Sequence, residues 1–378
     1  MSVKKVAHFT NIAPHYREAL WYKILSDESH QYHFFFGRKS ASGIKSIDFD
    51  KKKWRSIKTR LHHLKNVRLL GRLIFQIGVL NRVLFKEWDA VILLGDMNVF
   101  SSWLSMFILK IKKTPVLSWG HGMYGDERGL KKVFRVLFHK TADFNLVYGH
   151  WAKKQLLISG IKEEKIDVIY NSLDYQESRE LRDEVISEKY YQKTGIFKNE
   201  DPVLIFVGRL TPQKNIGKLL QSVKELTASR TSVNTIIVGD GSEKAFLERE
   251  AAGMDNVHFF GACYDEVTLA KLIANADLCV SPGNVGLTAI HSLSYGTPVC
   301  THDNFTKQMP EFEAIKEGKT GCFFDWEKEN IAFTINKWLD EHHDRKMIRN
   351  ACYDMIDRYY NPNNQVAILN STIDKLLA

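Results

Sequence analysis

The sequence has few cysteines and no long apolar run, and each shortage excludes a class of protein. Its five cysteines form no Cys-x-x-Cys pair and leave one over, so we expect neither a disulfide framework nor a zinc site. No apolar run approaches the ~20 residues that a membrane-spanning helix needs, and the first residues lack the apolar core of a signal peptide. These absences predict a protein of the cytoplasm.

What is present is an ordinary globular composition. Of the 378 residues, 44% are hydrophobic and 26% are charged, which excludes a disordered or fibrous chain. A chain of this length is about right for two domains of the usual size.

Charge is distributed unevenly along the chain. Residues 1–170 hold 30 Lys and Arg against 14 Asp and Glu, a balance of +16, whereas the remainder has a balance of −7. Residues 51–86 contain 11 Lys and Arg, no acid, and many apolar residues at helical spacing. This pattern is typical of a helix that binds an anionic membrane surface or another polyanion, or of an amphipathic helix buried in its domain with solvated lysines. The first interpretation places the protein on the inner face of the cell membrane.

Short apolar runs alternate with helical patterns in two series. The strand-like runs are Lys4–Thr10, Tyr32–Phe36, Asp89–Leu94, Pro115–Trp119, Phe144–Tyr148 and Ile166–Tyr170, then Val203–Val207, Thr235–Val238, Val257–Phe260, Leu278–Ser281, Pro298–Thr301 and Cys322–Phe324. Apolar strands separated by helices predict an α/β protein with two parallel sheets covered on both faces. The charged stretch 172–201 between the two series is interpreted as a linker with some helix, and Gln365–Leu377 as a final helix.

The strongest local signal follows the first strand of the second series. Gly208 allows a sharp turn, and Arg209 and Lys214 place two cations at the carboxyl end of the strand. Two fixed positive charges suit a diphosphate, because Arg binds phosphate oxygens in a bidentate manner and Lys acts as a point charge. The alternative is a capped helix with surface cations.

Two further loops are candidates for ligand binding. Gly239 and Gly241 follow the next strand and permit the close approach of a ligand or of a helix. A third loop, Ser281–Thr288, runs from a strand into a helix whose free N–H groups could bind an anion. His291 follows in that helix, either as a ligand contact or as a histidine that is satisfied by its neighbours.

Seven motifs share the order and spacing of one family. They are Gly208-Arg209-Leu210 with Lys214, Gly239-Asp240-Gly241, Asn256–Gly261, Ala276-Asp277, Gly286-Leu287, Gly296-Thr297-Pro298-Val299 and Gly318-Lys319-Thr320-Gly321. With these motifs, Val203–Phe324 resembles the donor-binding half of the family 4 retaining glycosyltransferases. The resemblance implies the GT-B fold, two doubly wound Rossmann-like domains that face a central cleft. We expect an acceptor-binding domain of residues 1–171 with the C-terminal helix 360–378, and a donor-binding domain of residues 172–359.

The chain departs from the family pattern at one place. Members usually carry two glutamates eight positions apart, and the aligned positions here are Gly283 and His291. Either this branch holds the donor through backbone amides and His291, or transferase activity has been lost; we favour the first because Arg209 and Lys214 remain. The donor-binding residues implied are Gly208, Gly239, Gly241, Cys263, Tyr264, Gly283, Asn284, Val285, Gly286, Leu287, Thr288, His291 and Glu313, with Cys263 and Tyr264 nearest to the base.

The implied reaction moves a sugar from a nucleoside diphosphate with retention at the anomeric carbon. Arg209, Lys214 and the amides after Gly283 would stabilise the charge that grows on the leaving diphosphate. His121 lies where many members carry a histidine that faces the reacting sugar. No cofactor and no dedicated metal is expected, and the Asp48-Phe49-Asp50 triplet is interpreted as a loop.

The acceptor is assigned to the basic first half. In the GT-B arrangement its loop residues Asn11, His15, Tyr16, Arg17, Asp96, Asn98, His121 and Tyr124 face the cleft. A glycan or lipid-linked glycan, in surface polysaccharide or glycolipid synthesis, best explains the positive charge together with the family's habits. Two other readings stay open: a nucleotide-sugar epimerase on the same fold, and a nonenzymatic protein that binds a membrane or polyanion through residues 51–86. No common nucleic-acid-binding module is recognisable, so no nucleic-acid partner is expected.

Overall fold

The computed structural model describes residues 3–37, 44–69, 71, 73–229 and 231–378, and the chain divides into two compact units. The first unit runs to Asp174 and also takes in Asn361–Ala378, whereas the second is Tyr175–Tyr360. The second unit is therefore inserted between the body of the first unit and its last helix. The first boundary, after Asp174, lies three residues beyond the boundary that we predicted at 171. The second boundary, before Asn361, lies one residue beyond the predicted start of the final helical segment at 360.

The first unit is built on a sheet of eight strands in the order β4-β3-β2-β1-β5-β6-β7-β8. Adjacent strands of this sheet are parallel, except that β3 and β4 are antiparallel. The strands are β1 Lys4–Thr10, β2 His30–Gly37, β3 Leu61–Arg68, β4 Ile74–Ile77, β5 Ala90–Leu94, β6 Val116–Gly120, β7 Phe144–Val147 and β8 Ile166–Val168. The α-helices are α1 Glu18–Ser26, α2 Val79–Phe85, α3 Phe100–Ile111, α4 Gly129–Thr141 and α5 His150–Ile158, joined by the C-terminal helix Pro362–Leu377.

Alternation along β1 shows how the sheet is covered on both faces. Val6 packs into an apolar layer with α1 and the C-terminal helix, whereas Ala7 and Phe9 pack into the opposite layer with α2, α3 and α4. Successive side chains of a strand point to opposite faces, and Val6, Ala7 and Phe9 are all buried, so an apolar layer covers each face of the sheet. The first unit is thus doubly wound, as predicted.

The second unit contains a sheet of six parallel strands in the order β11-β10-β9-β12-β13-β14. The strands are β9 Val203–Val207, β10 Asn234–Val238, β11 Val257–Gly261, β12 Leu278–Ser281, β13 Val299–His302 and β14 Gly321–Phe324. The helices are α6 Tyr175–Leu181, α7 Tyr190–Lys193, α8 Ile216–Ala228, α9 Lys244–Glu250, α10 Glu266–Ala274, α11 Leu287–Ser294, α12 Ile331–Glu341 and α13 Arg345–Arg358, and the helix Pro362–Leu377 becomes α14.

The basic segment 51–86 is not one helix, so that prediction is wrong. It forms a 3-10 helix at Lys52–Arg60, then the strands β3 and β4, and then the short helix α2; positions 70 and 72 lie outside the described residues. Trp54 and Ile57 are buried in the core, and β3 pairs with β2. The leucines of β3 are three residues apart, which is also the spacing of one helical face. The segment is nevertheless a strand, because it pairs with β2.

The charged stretch 172–201 also differs from its prediction as a linker. Arg182 is buried, and its guanidinium donates to both carboxylate oxygens of Asp357 at 2.9 and 2.7 Å and to the carbonyl oxygen of Ser294 at 3.1 Å. A bidentate contact of this kind is the strong form of an ion pair. From Tyr175 onward, this stretch is therefore a packed part of the second unit.

Two further observations bear on the chemistry of the chain. All five cysteines are free thiols, and Cys263 is the one that is partly exposed. Within the described parts of the chain, no helix is both long enough and apolar enough to span a bilayer.

Candidate active site

The sheet of the second unit reverses its winding direction between β9 and β12. β10 and β11 lie on one side of β9, and β13 and β14 lie beyond β12 on the other side. In an open parallel sheet, ligands bind beyond the carboxyl ends of the two strands at such a reversal. The loops that follow β9 and β12 are the two that contain Lys214 and Gly283. The topology thus brings together two loops that the sequence singled out separately.

These two loops cross in direct contact. The amide of Gly283 donates to the carbonyl oxygen of Lys214 at 3.0 Å. A Cβ atom on Gly283 would overlap the backbone oxygen of Gln213 and would lie 2.7 Å from the Cα atom of Lys214. Position 283 therefore has room for glycine alone, which is a packing reason for a glycine and against a glutamate here.

Lys214 points into this crossing. Its Nζ atom donates to the carbonyl oxygen of Asn284 at 2.5 Å and to the side-chain oxygen of Asn284 at 3.0 Å. Burial lowers the pKa of Lys214 to about 8, and the charge of Arg209 lowers it further, whereas the carboxylate of Glu311 opposes the shift. The partly desolvated ammonium of Lys214 contacts neutral oxygens, so an anion that binds beside it would stabilise its charged form.

Glu311 was not predicted from the sequence. It is buried in a 3-10 turn, Pro310–Ala314, and its charge acts on Lys214, whereas the predicted Glu313 is partly exposed in the same turn. The signal that could have found it is a carboxylate surrounded by apolar residues in Met309-Pro310-Glu311-Phe312. Buried carboxylates need a partner, so such a residue is a candidate neighbour of a cation.

One backbone amide of the third loop, Ser281–Thr288, donates a hydrogen bond to a side chain of the protein. Val285 is buried, and its amide donates to the side-chain oxygen of Gln308 at 2.9 Å. The first N–H groups of a helix have no partner inside the helix. Gly286, Leu287 and Thr288, at the start of α11, therefore retain the amides that suit an anion, and the Thr288 hydroxyl donates to the carbonyl oxygen of Val207 at 3.0 Å.

Other predicted donor residues have different surroundings. Arg209 is exposed beside the loop. A Cβ atom on Gly239 would overlap the backbone oxygen of Gly208, and one on Gly241 would overlap that of Leu210, so packing between neighbouring turns accounts for these glycines. Cys263 and Tyr264 follow β11, and the Tyr264 side chain is 81% exposed.

His291 belongs to a hydrogen-bonded cluster. Its Nε2 atom lies 2.8 Å from a carboxylate oxygen of Glu266, and the hydroxyl of Tyr295 donates to the same oxygen at 2.6 Å. Burial favours the neutral acid, but these two partners lower the pKa of Glu266 below its ordinary value. A carboxylate therefore lies beside His291, but it comes from α10 and was not predicted.

The first unit contains a cavity of about 370 Å³ at its own point of reversal, between β1 and β5. The loops after β1, β5 and β6 line it. Among the predicted acceptor residues, those that line the cavity are Asn11, Tyr16, Arg17, Asp96, Asn98, His121 and Tyr124. His15 does not; its side chain is exposed, with Nδ1 3.2 Å from the carbonyl oxygen of Lys45.

The cavity also contains residues that sequence reasoning missed. His8 and Trp119 line it, with their rings stacked 5.1 Å apart at an angle of 11°. Nδ1 of His8 and Nε1 of Trp119 are buried polar atoms with no hydrogen-bond partner among the described residues. Buried polar groups are normally satisfied, so unpaired atoms at the wall of a cavity are candidates for ligand contacts. A histidine inside the apolar run Val6–Phe9 is the signal that could have found this position.

Burial keeps His8 and His121 of the cavity neutral near pH 7. Burial lowers the pKa of His121 to about 4 and that of His8 to about 3, and in both cases the charge of Arg17 adds to the shift. The Arg17 guanidinium donates to the hydroxyl of Tyr148 at 2.5 Å, and the Tyr148 ring lies 5.1 Å from the His121 ring. Neutral imidazoles and aromatic faces suit a polar, uncharged ligand such as a sugar ring.

No group of three or more His, Cys, Asp or Glu side chains that could hold a metal ion occurs in the described portion of the chain. Of the predicted Asp48–Asp50 loop, Asp50 lies 3.3 Å from Nζ of Lys58 and Asp48 accepts from the amide of Asp50 at 3.0 Å.

Comparisons with known proteins bear on both units. Residues 187–355 match the model of the family described as glycosyl transferases group 1. The chain is 30% identical over 152 residues to a GDP-mannose-dependent alpha-(1-6)-phosphatidylinositol dimannoside mannosyltransferase of Mycobacterium tuberculosis, over 39% of this chain and 38% of that enzyme. The family match covers less than half of the chain. A second relative, an uncharacterized 41.2 kDa protein in the cps region of Klebsiella pneumoniae, is 29% identical over 247 residues, which cover 62% of this chain and 63% of that protein. The chain thus spans less than two thirds of the length of either relative.

The comparison with solved structures extends over the whole chain. The crystal structure of Anabaena Alr3699/HepE in complex with UDP aligns with a TM-score of 0.71 and 16% identity, and the alignment covers 99% of this chain and 100% of that chain. Identity this low shows the fold alone. The prediction of a GT-B fold is confirmed.

Proposed function

We propose that the chain transfers a sugar from a nucleoside-diphosphate sugar to a glycan or lipid-linked glycan, with retention at the anomeric carbon. The second unit binds the donor and the first unit binds the acceptor. The product belongs to a surface polysaccharide or glycolipid, and the relative from a cps region and the phosphatidylinositol mannosyltransferase support this assignment.

The observation that carries the proposal is the position of Lys214. Its ammonium lies at the crossing of the two loops that follow β9 and β12, and burial lowers its pKa to about 8. A partly desolvated lysine lowers the stability of the fold, but at this edge of a parallel sheet it can bind a doubly charged phosphate group. The UDP in the similar Anabaena structure supports a nucleoside diphosphate as the ligand.

The residues of the second unit stabilise the leaving group. As the bond between the anomeric carbon and the diphosphate oxygen breaks, its electron pair and the new negative charge go to the diphosphate. Lys214, Arg209 and the amides of Gly286–Thr288 neutralise that charge without reorganising. The acceptor hydroxyl then bonds to the anomeric carbon from the side that the diphosphate leaves, and its proton goes to the departing phosphate. The two cations suffice for this charge, so we propose no cofactor and no dedicated metal.

The cavity of the first unit supports a sugar acceptor. Its wall combines aromatic rings with neutral hydrogen-bonding groups, and His121 is our candidate for the contact to the reacting sugar. About 370 Å³ is within the range of small-ligand pockets and large enough for one or two sugar rings.

The donor is identified first by thermal shift with UDP, GDP, dTDP and CMP. A nucleotide at 100 times its dissociation constant adds ~2.7 kcal/mol to stability, which a melting curve resolves. The protein is then incubated with the matching nucleotide sugars and a mixture of lipid-linked glycans, and nucleoside diphosphate release and the anomeric configuration of the product are measured. We expect release that depends on the acceptor, and retention in the product.

Variants separate the proposal from its alternatives. Arg209→Ala with Lys214→Ala removes both cations and should abolish release, whereas Lys224→Ala, an exposed lysine of α8, should not. Release that survives the double change contradicts the phosphate assignment. Conversion of the nucleotide sugar to an epimer without an acceptor would favour the epimerase alternative, and an inverted product would contradict retention.

A further inference from the structure

Helix α4 exposes a row of apolar side chains. Leu130, Val133, Phe134 and Leu137 are between 49% and 75% exposed, although they are large and apolar. Positions 130, 134 and 137 lie on one helical face, and 133 lies beside it. Further around the helix, Phe138 is buried in the core of the first unit. The helix is thus apolar both toward the protein and away from it.

Helix α3 continues this apolar surface. Its outward side chains Phe107 and Ile111 are 67% and 69% exposed. α3 and α4 pack on the same face of the sheet, and the rings of Trp103 and Phe138 meet 5.1 Å apart between them. The outward side chains of the two helices thus lie on the same side of the sheet, and we call them together the α3–α4 face. Scattered apolar residues on a surface need no explanation, but a contiguous patch indicates a partner.

The residues around the α3–α4 face are basic. Neither helix contains an acidic residue, and the exposed cations are Lys110, Lys113, Lys131, Lys132 and Lys140. The acids nearest in sequence are Asp96, which lines the cavity, Asp126 and Glu127 in the loop before α4, and Asp143 after α4. Glu127 is buried and pairs with Arg135 at 2.7 Å, and the carboxylate of Asp143 accepts from the amide of Val116 at 2.9 Å. An apolar row flanked by lysines has the composition of a helix that lies in the interface of an anionic bilayer.

We propose that the α3–α4 face docks on an anionic lipid bilayer, with the apolar row at the level of the acyl chains and the lysines among the phosphates. The expected membrane contact thus moves from residues 51–86 to residues 100–140. The charges favour a bilayer over a second copy of the chain, because a symmetric dimer through this face would bring lysines against lysines. This inference does not rest on sugar transfer, since it requires no donor and no acceptor.

The test is sedimentation of the full chain with vesicles, without nucleotide. We expect binding to vesicles of phosphatidylcholine with phosphatidylglycerol, weaker binding at high salt, and little binding to phosphatidylcholine alone. Each lysine near an anionic surface contributes about fivefold to binding, so Lys131→Glu with Lys140→Glu should weaken binding roughly 25-fold or more at low salt. The control Lys316→Glu with Lys319→Glu changes the net charge equally at exposed positions of the second unit and should leave binding unchanged.

The apolar row is tested separately. Leu130→Gln, Phe134→Gln and Leu137→Gln together should reduce binding at least tenfold, whereas Phe333→Gln, at a phenylalanine of α12 that is 67% exposed, should have no effect. An unchanged melting temperature shows that the triple variant is folded. The inference is overturned if the wild-type chain does not bind anionic vesicles, if the triple variant binds as well as the wild type, or if the wild type is a dimer that this variant separates.

Discussion

Lys214→Met tests whether the second unit maintains a lysine at a cost to its own stability. Burial lowers the pKa of Lys214 from 10.5 to about 8, so the unfolded chain binds a proton more tightly there than the folded chain does. Stability rises with pH wherever the unfolded state binds more protons. The cost of the buried ammonium is therefore fully present below pH 8, and it disappears as the pH rises toward 10.5.

The size of this effect follows from the two pKa values. A shift from 10.5 to about 8, at about 1.36 kcal/mol per pKa unit, gives a cost of about 3 kcal/mol at neutral pH. Between pH 7 and pH 9.5 about 2 kcal/mol of that cost should vanish. The hydrogen bonds to Asn284 offset part of the cost at every pH, so the change with pH is more informative than the difference at one pH.

The assay is urea unfolding of the wild type and of Lys214→Met over this pH range. The wild type should gain about 2 kcal/mol relative to the variant between pH 7 and pH 9.5. Lys224→Met is the matched control, because the side chain at this position of α8 is exposed, and its difference from the wild type should stay constant. A difference for Lys214→Met that is equally constant would refute the burial of this ammonium, and with it the main support for the diphosphate site.

Two further predictions concern a loop crossing and a buried histidine. Gly283→Ala should destabilise the chain by about 1–3 kcal/mol, because the added Cβ atom overlaps backbone atoms. In the control Gly217→Ala, in α8, the added Cβ atom meets nothing within 4 Å, and this change should stabilise the chain by about 0.5–1 kcal/mol. Melting curves in which both variants behave alike would contradict this prediction. Because burial lowers the pKa of His8 to about 3, acid should unfold the wild type more readily than His8→Phe, by about 3 kcal/mol at pH 4 relative to pH 7. Parallel pH profiles of unfolding would show that His8 is not buried as described.

The strands of the second unit could be predicted from the sequence nearly to the residue. β9 and β12 have the predicted bounds, because a continuous apolar run between turn residues has few alternatives to a buried parallel strand. The segment 51–86 could not be predicted in the same way. β3 has Lys65 exposed and Leu64 buried, and its mixed composition resembles one face of a helix until its partner strand is known.

The candidate site was accessible to sequence reasoning only where backbone geometry determines it. Lys214 and Asn284 were predicted because they follow strands that end at one edge of a sheet. Glu266 comes from a different helix and meets His291 only in the folded chain. His8 lies within a strand and is recognisable as a cavity residue only once the cavity is known.

The return of the last helix to the first unit has a consequence for synthesis on the ribosome. Val366, Leu369 and Ile373 of α14 complete an apolar layer whose other members lie before residue 175. At ~5–20 residues per second, translation of Tyr175–Tyr360 leaves that layer open for on the order of ten seconds or more. The nascent first half must wait, with apolar surface uncovered, while the second unit can fold as soon as it emerges. Chaperones are therefore expected to engage the nascent chain during this interval, and a stop codon before Pro362 would leave the first half permanently incomplete.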